Sequence, residues 1–131
     1  MTQKMREVCP NFSFNDSGEV IRAAEADISY TDTAKALMTI PNNANIANIY
    51  VEVTTGFNGT TPTYDLGYAA DPDALVDGDA LSATAARSTF TPPAATITQW
   101  NGVTSGVLIG TFAGGGTNTA GAGTLKILYY L

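Results

Sequence analysis

The chain has 131 residues, six basic and twelve acidic side chains, one cysteine and no histidine. Its length fits one domain with its own core. The missing histidine removes the commonest general base and metal ligand, and the single cysteine excludes an internal disulfide framework. A charge of −6 argues against nucleic-acid or anionic-membrane partners held by electrostatics, and only 14% of residues are charged.

The opening residues, Met1 to Pro10, lack the apolar run of a signal peptide, and no stretch is apolar for long enough to span a bilayer as a helix. A soluble, reducing compartment is expected, with Cys9 a lone structural or semi-exposed thiol. Residues 1–11 read as a flexible arm ahead of a domain at 12–131.

Phe12 and Phe14 alternate before the turn formers Asn15-Asp16-Ser17-Gly18, a strand followed by a turn. Glu19 to Ala26 carries helical propensity and Ala26 to Thr31 looks extended; the preceding turn favours strands. Lys35 to Ile40 reads as a short strand stopped by Pro41-Asn42-Asn43-Ala44-Asn45. Ile49, Val51 and Val53 alternate with Tyr50, Glu52 and Thr54, the period of a half-buried strand. After the turn cluster Gly56 to Pro62, a second alternation runs from Thr63 to Tyr68. Together they predict an antiparallel hairpin with an extended loop.

Asp71 to Ala86 has few β-branched residues and predicts a loop or one helical turn. Ile97 to Trp100 predicts a short strand before the tight-turn dipeptide Asn101-Gly102, and Val107 to Phe112 a further strand. Gly114 to Gly123 predicts a flexible connection. Thr124 to Leu131 is apolar but for Thr124 and Lys126 and predicts a strand that is central in a sheet or lies in a subunit interface. Seven to nine short strands at this spacing imply an all-β domain, an antiparallel β-sandwich or jelly-roll-like.

Asp71, Asp73, Asp77 and Asp79 place four carboxylates within nine residues. A hard cation could use them, but the EF-hand pattern fails: with Asp73 at position one, Leu75 takes position three and Thr84 position twelve. A solvated, backbone-capping turn is the plainer reading. The glycines at 114–116 lack the lysine of a phosphate loop. No cofactor and no enzyme activity are expected.

Ala36-Leu37-Met38-Thr39-Ile40-Pro41, Ala44 to Val53, Thr54-Thr55-Gly56-Phe57-Asn58-Gly59, Tyr64-Asp65-Leu66-Gly67-Tyr68, Asp71-Pro72-Asp73-Ala74-Leu75 and Thr119 to Ile127 form a series. It resembles a pattern in small structural proteins of tailed bacteriophages. Asp65 departs mildly from that pattern, and Arg87 to Asn101 matches none of it. The resemblance implies a virion protein made in the host cytoplasm and placed on the capsid surface, a decoration or cement protein. Its partners would be the major capsid protein or other virion proteins, and it would form a homo-oligomer such as a trimer. The alternative is a tail, baseplate or head-fibre component with receptor or carbohydrate contact. Phe57, Asn58, Trp100, Tyr129, Tyr130 and Leu131 are the candidate interface residues. Residues 1–11 and the glycine-rich segment are candidate arms that order on binding.

Overall fold

The computed structural model describes residues 13–14, 20–93 and 97–131. Among the described residues, nine strands run in chain order: β1 (Ser13–Phe14), β2 (Val20–Ser29), β3 (Lys35–Ile40), β4 (Asn45–Thr55), β5 (Thr63–Tyr68), β6 (Asp71–Ala80), β7 (Arg87–Phe90), β8 (Gly106–Ala113) and β9 (Ala122–Tyr130). A 3₁₀ turn, Ile97–Trp100, lies between β7 and β8. The proposed arm at 1–11, Cys9 and the Asn15–Gly18 turn fall outside the described residues. None of the described helices is long and apolar enough to cross a membrane.

One sheet has the order β1-β2-β9-β4-β7 and the other β3-β8-β5-β6, with every pairing antiparallel. The pairs nest: β2 with β9, β3 with β8, β4 with β7, and β5 with β6. Such nesting is what results when one long ribbon, turned at Ala69–Ala70, is folded over so that its halves alternate between two sheets. The sandwich is therefore jelly-roll-like in strand order.

Alternation decides which side chains enter the space between the sheets. In β4, Ile49, Val51 and Val53 are buried and Tyr50 and Glu52 face outward. A bulge between Ile46 and Asn48 lets Ile46 join them although it is three residues from Ile49. β9 contributes Leu125 and Ile127, β5 contributes Tyr64 and Leu66, and β8 contributes Leu108. Each fully buried aliphatic side chain of this kind is worth about 1.5–3 kcal/mol. The Tyr64 hydroxyl donates to Asp32 Oδ2 at 2.7 Å, and the same oxygen accepts the Ser29 amide at 3.0 Å. Gly110 makes room for that ring, since a Cβ there would lie 2.1 Å from the Tyr64 hydroxyl. Burial, together with the bond to Asp32, pushes the Tyr64 phenol well above its usual range.

Four expectations need correction. β4 and β5 do not form a hairpin: they lie in different sheets, and Gly56 to Pro62 crosses between them. That crossing carries Phe57 into the core at 1% exposure. Asp71 to Ala80 is a strand and not a loop or helical turn, because pairing with β5 outweighs its weak β propensity. Ile97 to Trp100 is a 3₁₀ turn, anchored where Trp100 Nε1 donates to the buried Leu75 carbonyl at 2.8 Å. The glycine-rich connection is tied down: Thr60 and Thr61 amides donate to the Gly115 and Gly114 carbonyls at 3.1 and 2.9 Å.

Val51 is fully buried in the hydrophobic core, so Val51→Asp should abolish cooperative folding. Circular dichroism and a thermal melt check this; a variant that melts cooperatively near the parent temperature would contradict the assigned face.

Candidate interaction site

Phe57 and Trp100 are core residues. Phe57 stacks on Phe112 with ring centroids 5.6 Å apart, and Trp100 is 4% exposed. Neither offers its ring to a partner. Asn58 is exposed, but its carboxamide is engaged within the chain. Its Oδ1 accepts the Thr119 and Ala120 amides at 2.9 and 3.1 Å, and its Nδ2 donates to Thr119 Oγ1 at 2.7 Å. Asn58 thus fastens the 56–62 crossing to the glycine-rich loop. Tyr129 and Tyr130 are half-buried, and Leu131 is 57% exposed.

The four aspartates lie along β6, the free edge of its sheet. Asp71, Asp73 and Asp77 are exposed, whereas Asp79 Oδ2 accepts the Thr91 amide at 2.7 Å. Among the described residues no group of three or more acidic, cysteine or histidine side chains is placed to hold a metal ion. Asp65, which sequence reasoning singled out only as a departure from a pattern, belongs with them. Its Oδ1 accepts the Gly78 amide at 2.6 Å and closes a bulge in which Gly78 has φ +66°. Partial burial raises the Asp65 pKa, opposed by that amide and reinforced by Asp73 and Asp77. Asp71 is raised chiefly by its hydrogen bond with Asp73. Bulges, Pro72 and repelling charges are the devices that keep an open strand edge from pairing with another chain.

A different feature stands at the end of the sandwich where β3, β5 and β9 finish and β4, β6 and β8 begin. The loops there are laced together. The Gly102 amide donates to Asn45 Oδ1 at 3.0 Å, Ser105 to Asn42 Oδ1 at 3.1 Å, and Asn43 to the Val103 carbonyl at 2.7 Å. The Tyr68 hydroxyl donates to the Thr104 carbonyl at 2.8 Å. Two shallow cavities flank Tyr68. One, of about 260 Å³, is lined by Asp71, Leu75, Gln99, Asn101 and Thr104 among others. The second, of about 500 Å³, is bounded by Ala69, Ala70, Ser105, Gly106 and Val107. Asp71 is the single charged residue lining either cavity.

Val107 and Leu131, 54% and 57% exposed, are the exposed large hydrophobics of the described chain, and both lie at this end. The candidate site is therefore an end surface braced by hydrogen bonds, with two apolar projections. Of the six interface residues read from the sequence, Tyr130 and Leu131 belong to it directly. Tyr68 and Val107 were missed, because alternation marks a strand without saying which of its two faces is the outer one.

No family model matches the chain, and no curated protein matches it. Among solved structures, the fold is similar to that of a chain in the capsid asymmetric unit of cyanophage Pam1. That match has a TM-score of 0.60 and 15% identity, and covers 91% of this chain and 90% of that one. It is also similar to a chain in the acid-stable capsid structure of Helicobacter pylori bacteriophage KHP30, with a TM-score of 0.56 and 13% identity. There 85% of this chain and 87% of the other are covered. The shared property is the fold, over nearly the whole of each chain.

Two outcomes follow from the geometry. A carboxyl pKa raised by folding means that the ionised form costs stability above that pKa and ceases to do so as pH falls through it. Asp65→Asn keeps an oxygen for the Gly78 amide and removes the repulsion. It should stabilise by up to about 0.5 kcal/mol at neutral pH, with the gain fading in acid and in salt. Urea unfolding across pH measures this, and a loss of stability at neutral pH would contradict it. Asn58→Ala should cost about 1–2 kcal/mol through its three lost hydrogen bonds; an unchanged urea midpoint would show that the two loops do not depend on this clamp.

Proposed function

We propose that the chain is a structural component of a bacteriophage particle, a decoration or cement protein of the capsid surface. The observation that carries this reading is the near end-to-end fold likeness to chains in two phage capsid structures. The jelly-roll strand order and the sequence resemblance to small phage structural proteins agree with it. The protein acts by contact and not by catalysis, with the major capsid protein or another virion protein as its partner.

The mechanism is mass action. A module that binds the assembled lattice and not its free subunits shifts the balance toward the lattice. The braced end carrying Tyr68, Val107 and Leu131 is the surface offered to the lattice. Its loops are already ordered by the bonds from Asn42 and Asn45, so binding costs little additional loop entropy. A specific contact would bury about 1,200–2,000 Å² in total. Neighbouring copies set around a local symmetry axis, as in a homotrimer, would multiply weak contacts into a stable layer. A tail or receptor-contact role would need Trp100 and the Phe57-Asn58-Gly59 loop as exposed recognition elements; the Trp100 and Phe57 rings are buried, and the exposed Asn58 carboxamide is bonded within the chain.

The test is co-sedimentation of the purified chain with capsids assembled without it, followed by heating of the shells. The parent chain should pellet with the shells and raise the temperature at which they open. Val107→Asp combined with Leu131→Asp should weaken pelleting at least about tenfold while leaving the melting curve of the free chain near the parent's. A free chain that never sediments with shells, or a double variant that binds as well as the parent, would contradict this reading.

A further inference from the structure

The chain contains two Asn-Gly pairs, Asn58-Gly59 and Asn101-Gly102. This dipeptide is the one most open to spontaneous deamidation, because glycine has no side chain to block approach of its amide nitrogen to the asparagine Cγ. The two pairs sit at opposite ends of the sandwich in contrasting environments. The Asn58 carboxamide is held by three hydrogen bonds to Thr119 and Ala120, so its Cγ cannot turn onto the Gly59 nitrogen without opening the loop. Asn101 and Gly102 are both exposed, and among the described residues no hydrogen bond restrains the Asn101 carboxamide. Gly102, at φ +58° with open space around its Cα, is free of steric cover. Among the described residues its amide is held by Asn45 Oδ1 at 3.0 Å.

We infer that Asn101 is a site of spontaneous covalent modification, converting to aspartate and isoaspartate, with the Gly102 N–H···Oδ1 bond to Asn45 as its brake. The Gly102 nitrogen gives up its proton and attacks the Asn101 Cγ. The bond from Cγ to Nδ2 breaks, and ammonia leaves. Water then adds to either carbonyl of the succinimide ring and opens it. Opening at one carbonyl restores the α-linked backbone as aspartate; opening at the other leaves the chain linked through the former side chain as isoaspartate. No enzyme or oxidant is required. Each event makes the charge one unit more negative than −6 and adds a carboxylate to the cavity that Asp71 already lines. A molecule that ages in solution would thus change charge at its braced end and not at the Asn58 clamp.

The test is peptide mapping by mass spectrometry of the purified full chain held at mildly alkaline pH, with a parallel sample unfolded in urea. In urea the two Asn-Gly peptides should convert at similar rates. In the folded chain the peptide holding Asn101 should convert at least about tenfold faster than the peptide holding Asn58, whose reaction must wait for the loop to open. Asn45→Ala should speed conversion at 101 and leave 58 unchanged, and Asn101→Gln should abolish the conversion at this end. Asn101 protected as well as Asn58 in the folded chain, or a rate at 101 unmoved by Asn45→Ala, would overturn the inference.

Discussion

The fold depends on β9 being hydrogen-bonded along both edges. It is the latest strand in chain order, yet it lies in the interior of its sheet, with β2 on one side and β4 on the other. Leu125 and Ile127 fill the core beneath it, and Gly123 lets it press close to β4, where a Cβ would come 2.7 Å from the Glu52 carbonyl oxygen. This double pairing fixes the register of β2 and β4, and through them the position of every nested pair. It also means that most contacts join residues far apart in sequence. Closing such long loops makes a sandwich slow to fold relative to a helical bundle of the same size.

Much of this was legible in the residues. β3 and β5 fall where the alternation and flanking turn formers put them, and the apolar run from Thr124 onward, readable as a central strand or a subunit-interface strand, lies in the interior of its sheet. The strand partners were less legible. Gly56 to Pro62 has the composition of a hairpin loop, but turn formers serve equally well in a crossing between sheets; the burial of Phe57 distinguishes the two, and burial is not a local property. β6 was missed because its pairing tolerates aspartates, a proline and a positive-φ glycine on a bulged edge that no alternation could reveal. Ile97 to Trp100 has strand-like residues, yet the indole N–H needs a buried acceptor, and the Leu75 carbonyl supplies it in a 3₁₀ turn.

The site was partly legible as well. The acidic concentration was visible, but its character as an edge guard depends on β6 lying at the margin of a sheet. Trp100 and Phe57, candidate interface residues by sequence, serve packing, which is the commoner use of a large apolar side chain. The braced end emerges only when Asn42, Asn45, Tyr68 and Thr104, distant in sequence, are brought together. The chain thus carries charge along one open edge and, at one end, loops braced by hydrogen bonds beside the exposed Val107 and Leu131.

The most direct measurement is imaging of purified phage particles with the chain located by its density or by a label. The chain is expected as repeated density on the outer surface of the head, its Tyr68–Val107 end against the shell, in a copy number set by the lattice. Density confined to the tail, or particles that lack the chain altogether, would contradict a capsid-surface role.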